Sequence, residues 1–268
     1  MSRIKIAGQS FIELLLTLAI SLLPVGSGLM IIDYQQDKKL EETARISVKE
    51  AIYSVDLALD RIHASASAAI MLAGTSCETA QAQLLDQVAK AAHLRSLSLT
   101  ANGLPYCNTL KTPYTPDQMF PDERSQFRLV LAPPALPNAV LLAYQLGDKN
   151  LGVIATSYGM LLRNELRAFQ TGLTLLVEFG DLYIWADGDS RDPERPSQEE
   201  FFTEGVSAKY GYTVKAGYAK GYLAQERGQT MKQLLPSLAL VGIITGSITY
   251  WGLYRQRNLR VRSAASKG

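Results

Sequence analysis

The sequence predicts an α+β domain carried between two membrane-spanning helices. Three observations lead there. Two apolar runs without a single charge, Leu14 to Ile32 and Leu234 to Tyr254, lie near the two ends of the chain. From Tyr34 to about Leu72 there is no Gly or Pro, and apolar residues recur at helical spacing. Beyond that stretch the pattern shortens to the alternation and turn punctuation of strands.

The two runs are 19 and 21 residues long, and a bilayer core of about 30 Å needs roughly 20 residues at 1.5 Å each. The chain of 268 residues is 47% hydrophobic and 19% charged, too polar for a polytopic membrane protein and consistent with two spans and a globular part. Lys and Arg resist translocation, so the basic flanks set the orientation. Arg3 and Lys5 precede the first run, and Arg255, Arg257, Arg260, Arg262 and Lys267 follow the second, with no acid after Glu226. Both ends are therefore expected in the cytoplasm, at a bacterial inner membrane, with residues 33–233 in the periplasm. The net charge of +2 has its excess in the tails, which argues for membrane orientation and against nucleic-acid binding.

The first run has a basic start and an apolar core, as a cleaved signal peptide does, but it is long and lacks an A-x-A-like site. It also opens with GQSFIELLLTLAI, where Gly8 and Glu13 follow the pattern of a type IV prepilin leader. A second span would tether such a chain and prevent its extraction into a filament. Glu13 then reads as a boundary residue, snorkelling to the cytoplasmic interface, where a carboxylate costs less than at the bilayer centre.

The segment after the first span reads as one long amphipathic helix, with apolar residues recurring near helical spacing at Leu40, Ala44, Val48, Ile52, Val55, Leu57, Leu59, Ile62 and Ile70. Gly74-Thr75-Ser76 ends it, and Thr75 or Ser76 is placed to cap the next helix, whose face carries Leu84, Leu85, Val88 and Ala91. Leu94 to Thr100 and Leu104 to Cys107 read as a hairpin, because Asn102-Gly103 supplies the positive φ angles of a tight turn. Strands follow at Phe127 to Ala132, Ala139 to Gln145 and Leu151 to Thr156. A short helix from Tyr158 to Phe169 precedes strands near Leu173 to Glu178, Leu182 to Ala186 and Thr213 to Ala216. Asp187 to Gln198 reads as a solvated polar loop. This order predicts a periplasmic domain of the PAS or Cache kind, an antiparallel sheet with helices on one side.

Cys77 and Cys107 both fall in the outward segment, where an even count favours a disulfide over two free thiols. Closing a loop of about thirty residues stabilises a fold by roughly 3 to 4 kcal/mol in the chain-entropy model. The bond reads equally as a structural staple or as one whose reduction is sensed.

Cys77 opening a helix, then Leu94 to Thr100 (LRSLSLT), then Asn102-Gly103-Leu104-Pro105-Tyr106-Cys107, all between two spans, resembles the CSS-motif periplasmic domain of bacterial membrane-bound cyclic di-GMP phosphodiesterases. The resemblance covers nearly the whole chain in layout, including Pro24 in the first span and a turn, Ala155 to Tyr158, before a short helix. It implies that the motif cysteine, Cys107, pairs with an upstream cysteine in a disulfide that restrains an EAL phosphodiesterase domain. The motif Cys-Ser-Ser stands here as Cys107-Asn108-Thr109, so the serine roles carry over only partly. About fourteen residues follow Tyr254, too few for an EAL domain, so this chain is expected not to be an enzyme.

No metal or cofactor is expected. His63 and His93 have no Cys, Asp or Glu at ligand spacing, and Asp187 to Asp192 only faintly echoes a calcium loop. Tyr210, Tyr212, Tyr218 and Tyr222 either line a ligand pocket or pack on the helix near the membrane. The leading expectation is a membrane-anchored sensor or regulatory domain, redox-responsive through Cys77 and Cys107. Its partners are the inner membrane, a second copy or a full-length EAL protein, and periplasmic thiol-disulfide oxidoreductases. The alternatives are a pilin-like structural protein and an inactive N-terminal piece of an EAL phosphodiesterase.

Overall fold

The structure is a computed structural model that describes residues 2–111, 126–133, 137–169 and 172–265, with side chains from 15 to 255. The side chain of Glu13, and the basic residues other than Arg255 that set the expected orientation, lie outside that description. The chain divides into two compact units, Met1–Leu40 with Gly221–Gly268, and Glu41–Lys220.

The first unit is a pair of helices. Helix α1, Ser2–Ile70, begins in it and carries Pro24. The last helix, α4, Tyr222–Ala265, carries Pro236. Among the described residues two helices are long and apolar enough to cross a membrane, Leu15–Ile70 and Tyr222–Arg255. Small residues let their backbones approach, as helix pairs in lipid do. A Cβ added to Gly242 would lie 3.0 Å from the Ser21 carbonyl oxygen, and one added to Gly246 would lie 3.1 Å from Ser21 Cβ. Hydroxyls in the apolar stretch are satisfied by their own helix: Ser21 donates to Leu18 O and Thr245 to Val241 O, both at 2.8 Å. Just beyond it, Arg227 pairs with Asp33 at 2.7 Å and Asp37 at 2.9 Å, and Gln36 donates to Thr230.

The second unit is α+β. Its part of α1 buries Ala44, Val48, Ala51, Val55, Ala58, Leu59, Ile62, Ala66 and Ala69. The recurrence at three and four residues makes one face, and its many alanines bring the helix axis close to what it covers. After the break at Gly74 comes α2, Cys77–Lys90, which buries Ala80 and Leu84. Ser76 holds the expected N-cap position but its hydroxyl makes no cap bond; it meets the Thr79 hydroxyl at 2.9 Å instead.

Among the described residues nine strands follow, all paired antiparallel. The first five are β1 (Ser96–Ala101), β2 (Leu104–Asn108), β3 (Phe127–Leu131), β4 (Val140–Gly147) and β5 (Leu151–Tyr158), in the order β2-β1-β5-β4-β3. Asn102 and Gly103 take positive φ in the β1–β2 turn, as the hairpin reading requires. Helix α3, Met160–Arg167, leads to β6 (Leu173–Phe179), β7 (Leu182–Trp185), β8 (Glu200–Val206) and β9 (Thr213–Tyr218), in the order β7-β6-β9-β8. The α+β class with a long N-terminal helix and antiparallel strands is as expected, but the strands divide between two sheets.

Register assigns the faces of the first sheet. Leu99 pairs with Val153 and with Cys107, and Tyr144 pairs with Ala155 and Phe127, so these side chains share a side. His63 of α1 reaches the Tyr144 hydroxyl at 2.6 Å on that side. On the other, Leu141, Ala143 and Ile154 pack with Leu110 and Val130. Ser96 and Thr156 share that second face and hydrogen-bond to each other at 2.5 Å, which is how a buried strand carries hydroxyls without cost in unsatisfied groups.

Three local readings are corrected. Ala155 to Tyr158 is the end of β5, not a turn; Thr156 pairs with Ser96, and Ser157 donates to His93 O at 2.5 Å. Asp187 to Gln198 has no strand, yet it is not simply solvated, since Asp189 is 2% exposed. The strand β8 was not expected. It is a sheet edge with the sequence EFFTEGV, a bulge between Glu200 and Thr203, and Phe201 at φ 50°, so charge and irregularity mask its period.

Candidate functional site

Cys77 and Cys107 are joined, with 5.1 Å between their Cα atoms and a sequence separation of 30. The bond ties the first residue of α2 to the last residue but one of β2. Register brings this about: Cys107 lies opposite Leu99 of β1, on the face that α2 covers, so its side chain points at the helix start. Cys107 is fully buried, whereas Cys77 is half-buried and stands at a helix N-terminus.

The neighbours of Cys107 reinforce the same junction. The Tyr106 hydroxyl accepts the Gly74 amide at 2.9 Å, and Gly74 holds φ at +88°, a backbone that side chains rarely adopt. Asn108 continues the strand opposite Ser98. Thr109 lies one residue past β2, and there its amide donates to Leu97 O at 3.0 Å while its hydroxyl accepts from Leu97 N at 3.1 Å. The side chain thus extends the ladder by a bond that a smaller apolar residue could not make. Neither Tyr106 nor the threonine role was legible in advance, since nothing in a sequence marks which hydroxyl meets which amide.

Two tyrosines of the cluster, Tyr210 and Tyr212, fasten α1, and Tyr222 instead donates to Glu226 of its own helix. The Tyr212 hydroxyl meets Asp56 at 2.8 Å and Ile52 O at 2.9 Å, and the buried Ser207 donates to Asp56 at 2.8 Å. One turn on, Tyr210 and Lys209 both hydrogen-bond Asp60. Bonds from Lys209 and then Tyr210 hold the Asp60 carboxyl below its ordinary value, and burial pushes the phenols of Tyr210 and Tyr212 up, so both stay donors. Tyr218 is buried in β9.

His63 meets Tyr144, and His93 meets Ser65 at 3.0 Å and Arg61 O at 3.1 Å. Among the described residues no group of three or more His, Cys, Asp or Glu is placed to hold a metal ion. Arg163 and Arg191 both pair with Asp189, at 2.6 Å and 2.8 Å, and the bonds from Arg191, opposed by burial, hold its carboxyl below the ordinary range. The most buried acid of this loop, Asp189, thus answers two arginines.

A family model described as the CSS motif domain associated with EAL matches residues 40–230. The chain belongs to the CSS-motif domain family. The matched span contains both cysteines, α2 and both sheets of the CSS-motif domain. Among solved structures, it is similar to the extracellular domain of rpHK1S-Z16, named as a histidine kinase, at 10% identity and a TM-score of 0.47, over 71% of this chain and 97% of that one. It is also similar to the sensor domain of the histidine kinase DctB of V. cholerae, at 11% identity and a TM-score of 0.41, over 69% of this chain and 99% of that one. No curated protein matches the chain.

Proposed function

We propose that the chain is a membrane-anchored input module of cyclic di-GMP signalling, in which the Cys77–Cys107 bond is a redox-responsive element. The observation that carries this reading is the bond itself, which fastens the start of α2 to β2 within a CSS-motif domain flanked by two apolar helices. Residues 1–13 and 255–268 are cytoplasmic, 14–32 and 234–254 span the inner membrane, and 33–233 are periplasmic. Cys107-Asn108-Thr109 occupies the motif position. The module is an input domain, and the phosphodiesterase activity it regulates resides in an EAL domain with which it pairs.

The asymmetry of the two sulfurs supports a defined order of exchange. A thiolate of a periplasmic dithiol oxidoreductase attacks Cys77 Sγ, the more accessible sulfur, forming a mixed disulfide there. The Cys77–Cys107 bond breaks, and its electron pair leaves on Cys107, which takes up a proton. The second thiol of the oxidoreductase then releases Cys77, so the module is reduced and the oxidoreductase oxidised. Freed of the bond, α2 is held to β2 by packing and by Tyr106.

Alkylation of intact cells with and without prior reductant tests the reading. A bond that is present in oxidising growth and opens when the periplasmic oxidation machinery is removed is the expected result. Full alkylation of both cysteines in unreduced wild-type cells overturns it. Reporter fusions at residue 268 and within 33–233 test the orientation separately.

A further inference from the structure

A second polar site lies well away from the disulfide in sequence. Asp189 is 2% exposed and receives Arg163 Nη2 at 2.6 Å, Arg191 Nε at 2.8 Å and Arg191 Nη2 at 2.9 Å. Two guanidiniums thus share one buried carboxylate. Asp192, the next acid, is occupied elsewhere: it accepts Trp185 Nε1 at 3.3 Å and the Asp189 amide at 2.9 Å.

Beside this cluster a groove of about 650 Å³ is lined by Ala139, Val140, Tyr158, Met160, Arg163 and Arg191, among others. That volume falls within the roughly 300 to 1,000 Å³ of small-molecule sites. Its lining holds two arginines and no carboxylate. The arginines have donors to spare. Arg163 Nε is buried with no acceptor, and Arg191 Nη1 reaches the Pro137 carbonyl only at 3.5 Å, too long for a strong bond. A buried donor left unmet is costly, and an acceptor entering the groove would relieve it. The walls are apolar and uncovered: Tyr158 is 50% exposed and Met160 65%.

The geometry points to a binding site for a small monocarboxylate with an apolar body. The carboxylate meets the unspent donors of Arg163 and Arg191, a pairing guanidinium forks favour. The hydrocarbon part lies over Val140, Ala139, Met160 and Tyr158. A carboxylate suits the site because the groove lining offers guanidinium donors and no carboxylate of its own. This inference does not depend on the redox reading, since neither cysteine touches the groove.

The probe is hexanoate, titrated by calorimetry into the full chain in nanodiscs, with empty nanodiscs as the blank and hexan-1-ol as the uncharged control. Hexanoate binds at least about tenfold more tightly than hexan-1-ol, the margin of one charge-assisted contact. Met160→Asp places an acid in the first turn of α3, where the helix dipole tolerates it, and weakens hexanoate by about tenfold or more through repulsion while the chain stays folded. Arg191→Met, which leaves Arg163 on Asp189, has the same effect. Circular dichroism of each variant verifies the fold. No hexanoate binding above the blank, equal binding of acid and alcohol, or unchanged affinity in folded Met160→Asp overturns the proposal.

Discussion

The Tyr106 hydroxyl accepts the Gly74 amide at 2.9 Å, and the next residue along the strand, Cys107, is bonded to Cys77 three residues beyond that glycine. Two adjacent strand residues therefore hold the α1–α2 connection, one at Gly74 within it and one where α2 begins. The non-covalent fastener shields the covalent one, and Tyr106→Phe separates their contributions. Losing this hydrogen bond costs about 1 kcal/mol. Local opening then rises by about fivefold, and dithiothreitol reduces the bond faster by the same factor, as timed alkylation reads it.

Replacing either cysteine by serine removes the loop constraint, worth about 3 to 4 kcal/mol. The two variants are not equivalent. Serine at 107 is placed in a fully buried position, which adds about 1 to 3 kcal/mol for an unmet hydroxyl, whereas serine at the half-buried 77 reaches water. Urea titrations of both variants in nanodiscs give the lower midpoint for Cys107→Ser.

Acid acts on Asp189. Its carboxyl is held below the ordinary value by Arg191 and Arg163, so its folded form binds its proton later than the unfolded chain does. The stability this contributes is complete above the ordinary carboxylate value of about 4 and is lost as pH falls through the depressed folded value. Asp189→Asn takes from Arg163 and Arg191 the buried carboxylate they share and costs about 3 kcal/mol near neutrality. Thermal melts across the acid range show a shallower decline for the variant than for the wild type.

Gly205 of β8 lies against α1: an added Cβ would come within 2.8 Å of Val48 Cγ1 and 3.0 Å of Ile52 Cδ1. Gly205→Val overfills this contact and costs about 1 to 3 kcal/mol. Amide exchange in β8 and β9 accelerates, while that of β1 and β5 in the other sheet is unchanged.

The parts of the fold that read well from sequence carry a strong local signal. The α1 stripe repeats over many turns, and Asn102-Gly103 demands one kind of turn, so both are found where expected. The division of the strands into two sheets is not local, because a strand's alternation does not name its partner. Strand β8 hid for a different reason, its glutamates and bulge serving the edge rather than the core. At the candidate site the cysteines announce themselves by count and compartment. Tyr106, Thr109 and the shared Asp189 do not, because their roles lie in which backbone amide or guanidinium folding brings alongside.

Between Cys77 and Cys107 the chain forms a closed covalent ring containing α2, β1 and most of β2. A protease that cuts once inside it, at the exposed Lys90 for example, opens the ring without dividing the molecule. The nicked chain runs as one band on a denaturing gel until a reductant is added, and as two bands afterwards.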